Sequence, residues 1–154
     1  MNVQSYLVFE GRCEEAIEFY KKAVGAEVLM LSRFKDAPAG MQCSPGSENK
    51  VMHACLQIGD TQVMASDGRN RGEAKFEGFS LCLNAANEAE ANKRFAALSE
   101  GGEVTMPQSK TFFAKSFGMV KDRLGVHWMV IVPAEQTQSA QTKEKVSAKE
   151  KARA

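Results

Sequence analysis

The chain has only two histidines and one tryptophan in 154 residues, and its four cysteines, Cys13, Cys43, Cys55 and Cys82, never stand as a C-x-x-C pair. That spacing gives no support to a zinc ribbon or a thioredoxin-type redox centre. In a chain of this length the cysteines read as reduced thiols of a cytoplasmic protein. Net charge is also scarce, at +1, so nothing favours nucleic acid or an anionic membrane as a partner. No apolar run approaches the roughly 20 residues needed to span a bilayer. The start, Met1-Asn2-Val3-Gln4, has no basic region followed by an apolar stretch, so no secretory leader is expected.

What is present is an ordinary balance of 44% hydrophobic and 25% charged residues, which suits one globular domain with a sizeable core. Val3 to Phe9 is rich in β-forming residues. After Glu10-Gly11-Arg12, the residues Cys13, Ala16, Ile17, Tyr20, Ala23 and Val24 recur at three- and four-residue steps and predict an amphipathic helix. Glu14 and Glu15 fall where the helix dipole favours carboxylates, Lys21 and Lys22 fall in the last turn, and Gly25 is a natural stop. Glu27 to Phe34 reads as a strand. Lys35 to Lys50 holds prolines, glycines and polar residues and reads as a long loop, of the kind that forms lids over binding sites. Val51 to Ile58 and Thr61 to Ser66 make a hairpin about Gly59-Asp60. Asp67 to Lys75, glycine-rich and charged, links two halves.

The second half repeats the plan. Phe76 to Asn84 is a predicted strand. Asn87 to Leu98 is a predicted helix with Asn87 and Glu90 at capping-box spacing. Glu103 to Thr111, Phe117 to Lys121 and Val126 to Val132 follow as strands, the last two joined by Asp122-Arg123-Leu124-Gly125. An offset of 76 residues lays Phe19 on Phe95, Gly25 on Gly101, Glu27 on Glu103 and Val28 on Val104. The expectation is an α+β fold of two βαβββ modules, about 3–66 and 76–133, forming a cupped, barrel-like mixed sheet as one domain over 1–133. Residues 134–154 are rich in Gln, Lys, Glu, Ala, Ser and Thr, with Val146 the only large apolar residue. They cannot bury enough apolar surface to fold alone and read as a flexible tail.

Laid out in this way, the sequence resembles the vicinal oxygen chelate superfamily, which includes glyoxalase I, the fosfomycin- and bleomycin-resistance proteins and the extradiol dioxygenases. Within it, the chain is similar to the PhnB-like branch, often labelled 3-demethylubiquinone 3-methyltransferase-like. The residues that carry the resemblance are Tyr6-Leu7-Val8-Phe9-Glu10-Gly11, Ala16-Ile17-Glu18-Phe19-Tyr20, Gly25-Ala26-Glu27, His53-Ala54 and Met64-Ala65-Ser66-Asp67. Gly78-Phe79-Ser80-Leu81, Thr111-Phe112-Phe113-Ala114, Phe117-Gly118 and Asp122 through Met129 complete it. The resemblance implies a homodimer, because sheet edges in this superfamily are usually covered by a partner.

It also implies a divalent metal held by His, Glu or Gln on four strands. Carried over one at a time, those positions fall on Ser5, Met64, Phe79 and Met129. A hydroxyl, two thioethers and a phenyl ring do not replace carboxylate and imidazole, so no metal and no other cofactor is expected. The methyltransferase label lacks support as well: no Gly-rich strand-to-helix loop with a following acidic residue is present for S-adenosylmethionine.

Candidate chemistry is therefore limited. Strand alternation puts His53 on one face with Cys55 and Gln57, opposite Ala54, Leu56 and Ile58. The same count puts His127 with Met129. Each imidazole has two readings, a ligand hydrogen bond or general base on one side and an ordinary hydrogen-bonded strand histidine on the other. Ser5, Phe9, His53, Met64, Phe79, Phe112, Phe113, Phe117 and Met129 are the expected pocket lining, apolar and aromatic with few polar groups. Cys13 fits the helix stripe and reads as core, as does Trp128. Asp67 shapes a turn or meets a ligand. The leading functional expectation is a binder of a small apolar or aromatic molecule. The alternative is a glyoxalase- or dioxygenase-like isomerase, lyase or oxygenase. A third reading is a scaffold whose tail contacts a partner.

Overall fold

A computed structural model describes residues 1–38, 43–69 and 72–134. The first half contains β1 (Ser5–Val8), α1 (Cys13–Val24), β2 (Glu27–Arg33), β3 (Val51–Ile58) and β4 (Thr61–Ser66). The second contains β5 (Leu81–Asn84), α2 (Glu88–Ser99), β6 (Glu103–Ser109), β7 (Ala114–Lys121) and β8 (His127–Pro133). One 3-10 turn, Phe34–Asp36, follows β2. The strands pair in the orders β1-β4-β3-β2 and β5-β8-β7-β6. In each sheet the first strand runs parallel to the last, and the other pairs are antiparallel. The expected α+β class and repeated βαβββ plan are both seen, with the cup divided into two mixed sheets that are curved and not closed.

The repeat is metrically close. β1 and β5 start 76 residues apart, as do β2 and β6. Gly25 and Gly101 both turn the chain in the left-handed region, at φ 70° and 71°, a conformation that costs a residue with a Cβ. Phe19 and Phe95 are both buried. The strand predicted from Phe76 is shorter than expected: ladder pairing with β8 begins only at Leu81, after Gly78 at φ 78° breaks the extended run. Conversely β7 begins earlier than expected, because Ala114 and Ser116 pair with Pro133 and Val132.

Helix α1 buries Cys13, Ala16, Ile17, Phe19, Tyr20, Ala23 and Val24, and it packs on β3 and against α2, which packs on β7 and β8. Facing the helices are Leu7, Ala54, Leu56, Val63 and Ala65 from one sheet and Val120, Trp128, Val130 and Val132 from the other, all buried. Burying such side chains stabilises the fold by about 1.5–3 kcal/mol each for the larger ones. Trp128 and Cys13 are core, as the sequence predicts.

Two buried carboxylates organise this core. Asp67 is 1% exposed. Its Oδ1 accepts from the backbone N–H of Cys13 at 2.6 Å and its Oδ2 from that of Val51 at 2.7 Å. It thus supplies the cap that α1 lacks at Arg12, and it pins the helix start to the start of β3. Asp122 works between the halves. Its Oδ1 accepts from Leu124 and Val126 N–H, and its Oδ2 accepts from the Tyr20 hydroxyl at 2.8 Å and the Trp128 indole at 2.9 Å. Helix α2 needs no such help, since Asn87 Oδ1 accepts from Glu90 N–H and the Glu90 carboxylate accepts from Ala86 N–H.

Candidate functional site

Because one face of each sheet is covered by its helix, alternation leaves the other face open. Register then assembles a row of neighbours across each. In the first sheet, Tyr6 pairs with Met64, Met64 with Cys55 and Cys55 with Met30. In the second, Cys82 pairs with Met129, Met129 with Met119 and Met119 with Met106. Directly paired residues share a face, with Cβ atoms about 4.5–5.5 Å apart. The two rows are related by the repeat: Tyr6 and Cys82 stand 76 residues apart, as do Met30 and Met106. Every member except Tyr6 carries sulfur. Met64 and Met129, two of the transferred metal positions, lie inside the rows.

The polar groups are unequally shared. On the first sheet the Tyr6 hydroxyl meets His53 Nδ1 at 3.0 Å, with ring centroids 5.6 Å apart. Ser32 lies opposite His53 across the β2–β3 pair. Gln57 pairs with Gln62, and Gln62 Oε1 accepts from the Gln4 amide. On the second sheet His127 pairs with Lys121, which pairs in turn with Glu103. Phe112, Phe113 and Phe117 form a chain of edge-on ring contacts at 5.1 and 5.2 Å. Phe112 is almost fully exposed at 98%.

The expected pocket residues therefore separate into groups. His53 and Met64 share the first open face, while Met129 and Phe117 share the second, with Phe113 against Phe117. Phe79 is exposed and packs edge-on against Phe76. Ser5 pairs with Val63 and so lies on the strand face of Leu7, away from His53. Phe9 is 2% exposed and packs between Tyr20 and Phe76, which puts it in the core between the halves. Asp67, left open between turn and ligand, is a buried helix cap with both oxygens engaged. Burial, with Asp67 and Glu14 adding to it, pushes the Cys13 thiol up to about 12, so it is no nucleophile.

A cleft of about 560 Å³ lies elsewhere, between the β1–α1 turn, residues 72–74 and the β7–β8 turn. Its walls include Glu10, Arg12, Glu73, Glu103, Lys121 and Arg123, and of the expected pocket set only Phe9 reaches it. Its mixed charges do not match the apolar and aromatic lining expected from the sequence. Among the described residues, no three His, Cys, Asp or Glu side chains gather as a metal-binding group. Nor is any helix long and apolar enough to cross a membrane.

The sequence reading set Cys55 on the face of His53 but did not include Tyr6, Met30, Cys82, Met106 or Met119 in the pocket lining. The 76-residue offset relates Tyr6 to Cys82 and Met30 to Met106, whereas Met119 enters its row only through the register of β7 with β8 and β6.

Comparison with known proteins agrees with this architecture. A family model described as 3-demethylubiquinone-9 3-methyltransferase matches residues 1–131. Protein YjdN of Escherichia coli (strain K12) is 33% identical over 144 residues, covering 88% of this chain and 98% of that one. The crystal structure of PA1353 from Pseudomonas aeruginosa is 39% identical with a TM-score of 0.77, covering 86% of this chain and 98% of that one. The PhnB protein of Bacillus cereus is 28% identical with a TM-score of 0.71, covering 86% and 99%. A glyoxylase/bleomycin resistance protein/dioxygenase domain from Frankia sp. EAN1pec, 12% identical with a TM-score of 0.61 over 88% and 93%, shares the fold. By its matched residues, this chain belongs to the PhnB-like, 3-demethylubiquinone-9 3-methyltransferase-like family of the glyoxalase/bleomycin-resistance fold.

Proposed function

We propose that this chain binds a small, mostly apolar or aromatic molecule against the open faces of its sheets, without a divalent metal. The observation that carries this reading is the pair of cross-strand rows, Tyr6-Met64-Cys55-Met30 and Cys82-Met129-Met119-Met106. Thioethers are flexible and polarisable, and they make favourable contacts with aromatic rings. The donor set at the transferred metal positions, Ser5, Met64, Phe79 and Met129, does not fit a hard or borderline divalent ion. Family membership by itself brings no methyl transfer, since the chain has no glycine-rich motif for S-adenosylmethionine.

Residues 1–133 are taken as the binding domain, acting in the cytoplasm as a homodimer. Support for the dimer comes from Leu29, Met30, Val104 and Met106 on the outer strands β2 and β6, each 43–52% exposed. Paired outer strands otherwise leave apolar edges to solvent. Light scattering on the purified protein should give twice the chain mass, and a monomer at micromolar concentration would remove the dimer from the proposal.

The test of the metal-free reading is metal content by mass spectrometry, on untagged protein purified without chelators. Metal well below one per chain is expected. Near-stoichiometric iron, zinc, nickel or manganese would overturn it and favour the enzymatic alternative. That alternative, a glyoxalase- or dioxygenase-like catalyst, gains from one observation, the hydrogen bond between Tyr6 and His53, because a partnered imidazole is how a general base is oriented.

A further inference from the structure

Tyr6 and His53 are both accessible, Tyr6 at 47%, and neither satisfies a buried polar group. The hydroxyl-to-Nδ1 contact spans β1 and β3, passing over β4, which lies between them. Two side chains held together across a strand on an open face lose rotamer freedom and gain little stability for it. What they gain is orientation: with Nδ1 engaged, the ring is fixed and Nε2 is the nitrogen left to meet a ligand. The second sheet does not repeat this arrangement, because Cys82 stands at the position of Tyr6 and Phe117 at that of His53.

We propose that Tyr6 and His53 form a proton-accepting pair that anchors a ligand through an acidic hydroxyl, as in a phenol or enol, with the ligand's apolar body lying on the row Met64-Cys55-Met30. This rests on the apolar-ligand reading and names the chemical class that reading leaves open. In the competent tautomer the His53 Nδ1–H donates to the Tyr6 oxygen, and Nε2 carries the lone pair. The ligand O–H bond breaks, its proton joins Nε2, and the oxygen stays as an anion beside the imidazolium. Tyr6 keeps its own proton and, still accepting from Nδ1–H, holds the imidazolium in place. Such a charge-assisted bond is about twice as strong as a neutral one. Tyr6 is a positioning residue here, and His53 is the group that meets the ligand.

The experiment uses two probes on the full chain: 4-nitrophenol, whose anion is visible by absorbance, and 4-nitroanisole, which has the same ring and no acidic hydroxyl. At a pH where free 4-nitrophenol is largely protonated, the wild type should bind it as the anion. His53→Gln should lower the bound anion about tenfold, through loss of the proton acceptor and its ion pair, and Tyr6→Phe about threefold, through loss of the bond that orients the imidazolium. Affinity for 4-nitroanisole should stay within about twofold in all three proteins. If both probes bind and no anion forms, or if the variants leave the anion unchanged, the pair is not the anchor and the apolar-ligand reading stands. If neither probe binds, that reading fails and takes this inference with it.

Discussion

At one corresponding position the first sheet carries Tyr6 and the second Cys82; at the far edge both carry methionine, Met30 and Met106. The two halves share element order and strand pairing, and they differ in what that common frame presents. The first face adds a hydroxyl–imidazole pair and glutamines to its sulfur row. The second adds phenylalanines and a lysine beside its histidine. Their internal supports differ too. Helix α1 borrows its cap from Asp67, a residue beyond β4, whereas α2 carries its own in Asn87 and Glu90. A backbone repeat thus fixes where side chains stand and leaves their chemistry free to diverge.

The comparison breaks most severely at Asp122, the residue that joins the halves. Asp122→Ala should destabilise the protein by about 4 kcal/mol, since it strands the Tyr20 hydroxyl, the Trp128 indole and two backbone N–H groups in the core. Urea denaturation measures this, and a loss below about 1 kcal/mol would mean the junction relaxes without the carboxylate. Asp67→Ala should cost somewhat less, about 3 kcal/mol, because two N–H donors lose their acceptor. Hydrogen exchange should then rise first in α1 and β3. Equal acceleration in β7 and β8 would show that the halves do not open separately.

The first half also responds to pH, through two groups of α1. The buried Cys13 thiol is raised from 9.0 to about 12, and the Tyr20 phenol is also raised, by burial first and by Asp122 beside it. Both groups stay protonated in the folded chain while the unfolded chain ionises. The stabilisation is full below pH 9.0 and is lost as pH rises toward 12. The thiol's part of the slope approaches about 1.4 kcal/mol per pH unit. Cys13→Ala should flatten that part of the curve, and an unchanged slope would assign the loss to other groups. The smallest effect is on reactivity: iodoacetamide should modify exposed Cys82 in the native protein and reach Cys13 only on unfolding. Mass mapping of the labelled thiols reads this directly.

The fold was legible because its signals are local and periodic. The stripe Cys13-Ala16-Ile17-Tyr20-Ala23-Val24 gives α1, Asn87 and Glu90 give the start of α2, and Gly59-Asp60 gives the β3–β4 turn. Strand ends were less legible: Phe76 is apolar enough to read as strand, yet Gly78 turns the chain before pairing begins. Alternation gave the face of His53, while register, a property of two chain segments together, was needed to bring Tyr6 to it and to join Met64, Cys55 and Met30. The same limit explains Phe9 and Ser5, whose residue types suit a pocket and whose strand positions turn them elsewhere. The tail from 135 onward and part of the 35–50 loop lie outside the described residues, so the flexible-tail and lid expectations stand as sequence readings.

Among the described residues, neither sheet hydrogen-bonds a strand of the other. A substitution on one open face acts directly on the backbone ladder of its own half, while the halves stay joined through the core that Tyr20 and Asp122 share. Substitution can therefore change the chemistry of one face without re-registering the strands of the other. The Tyr–His face and the sulfur-and-phenyl face thus differ in chemistry while the ladders that carry them keep one strand order.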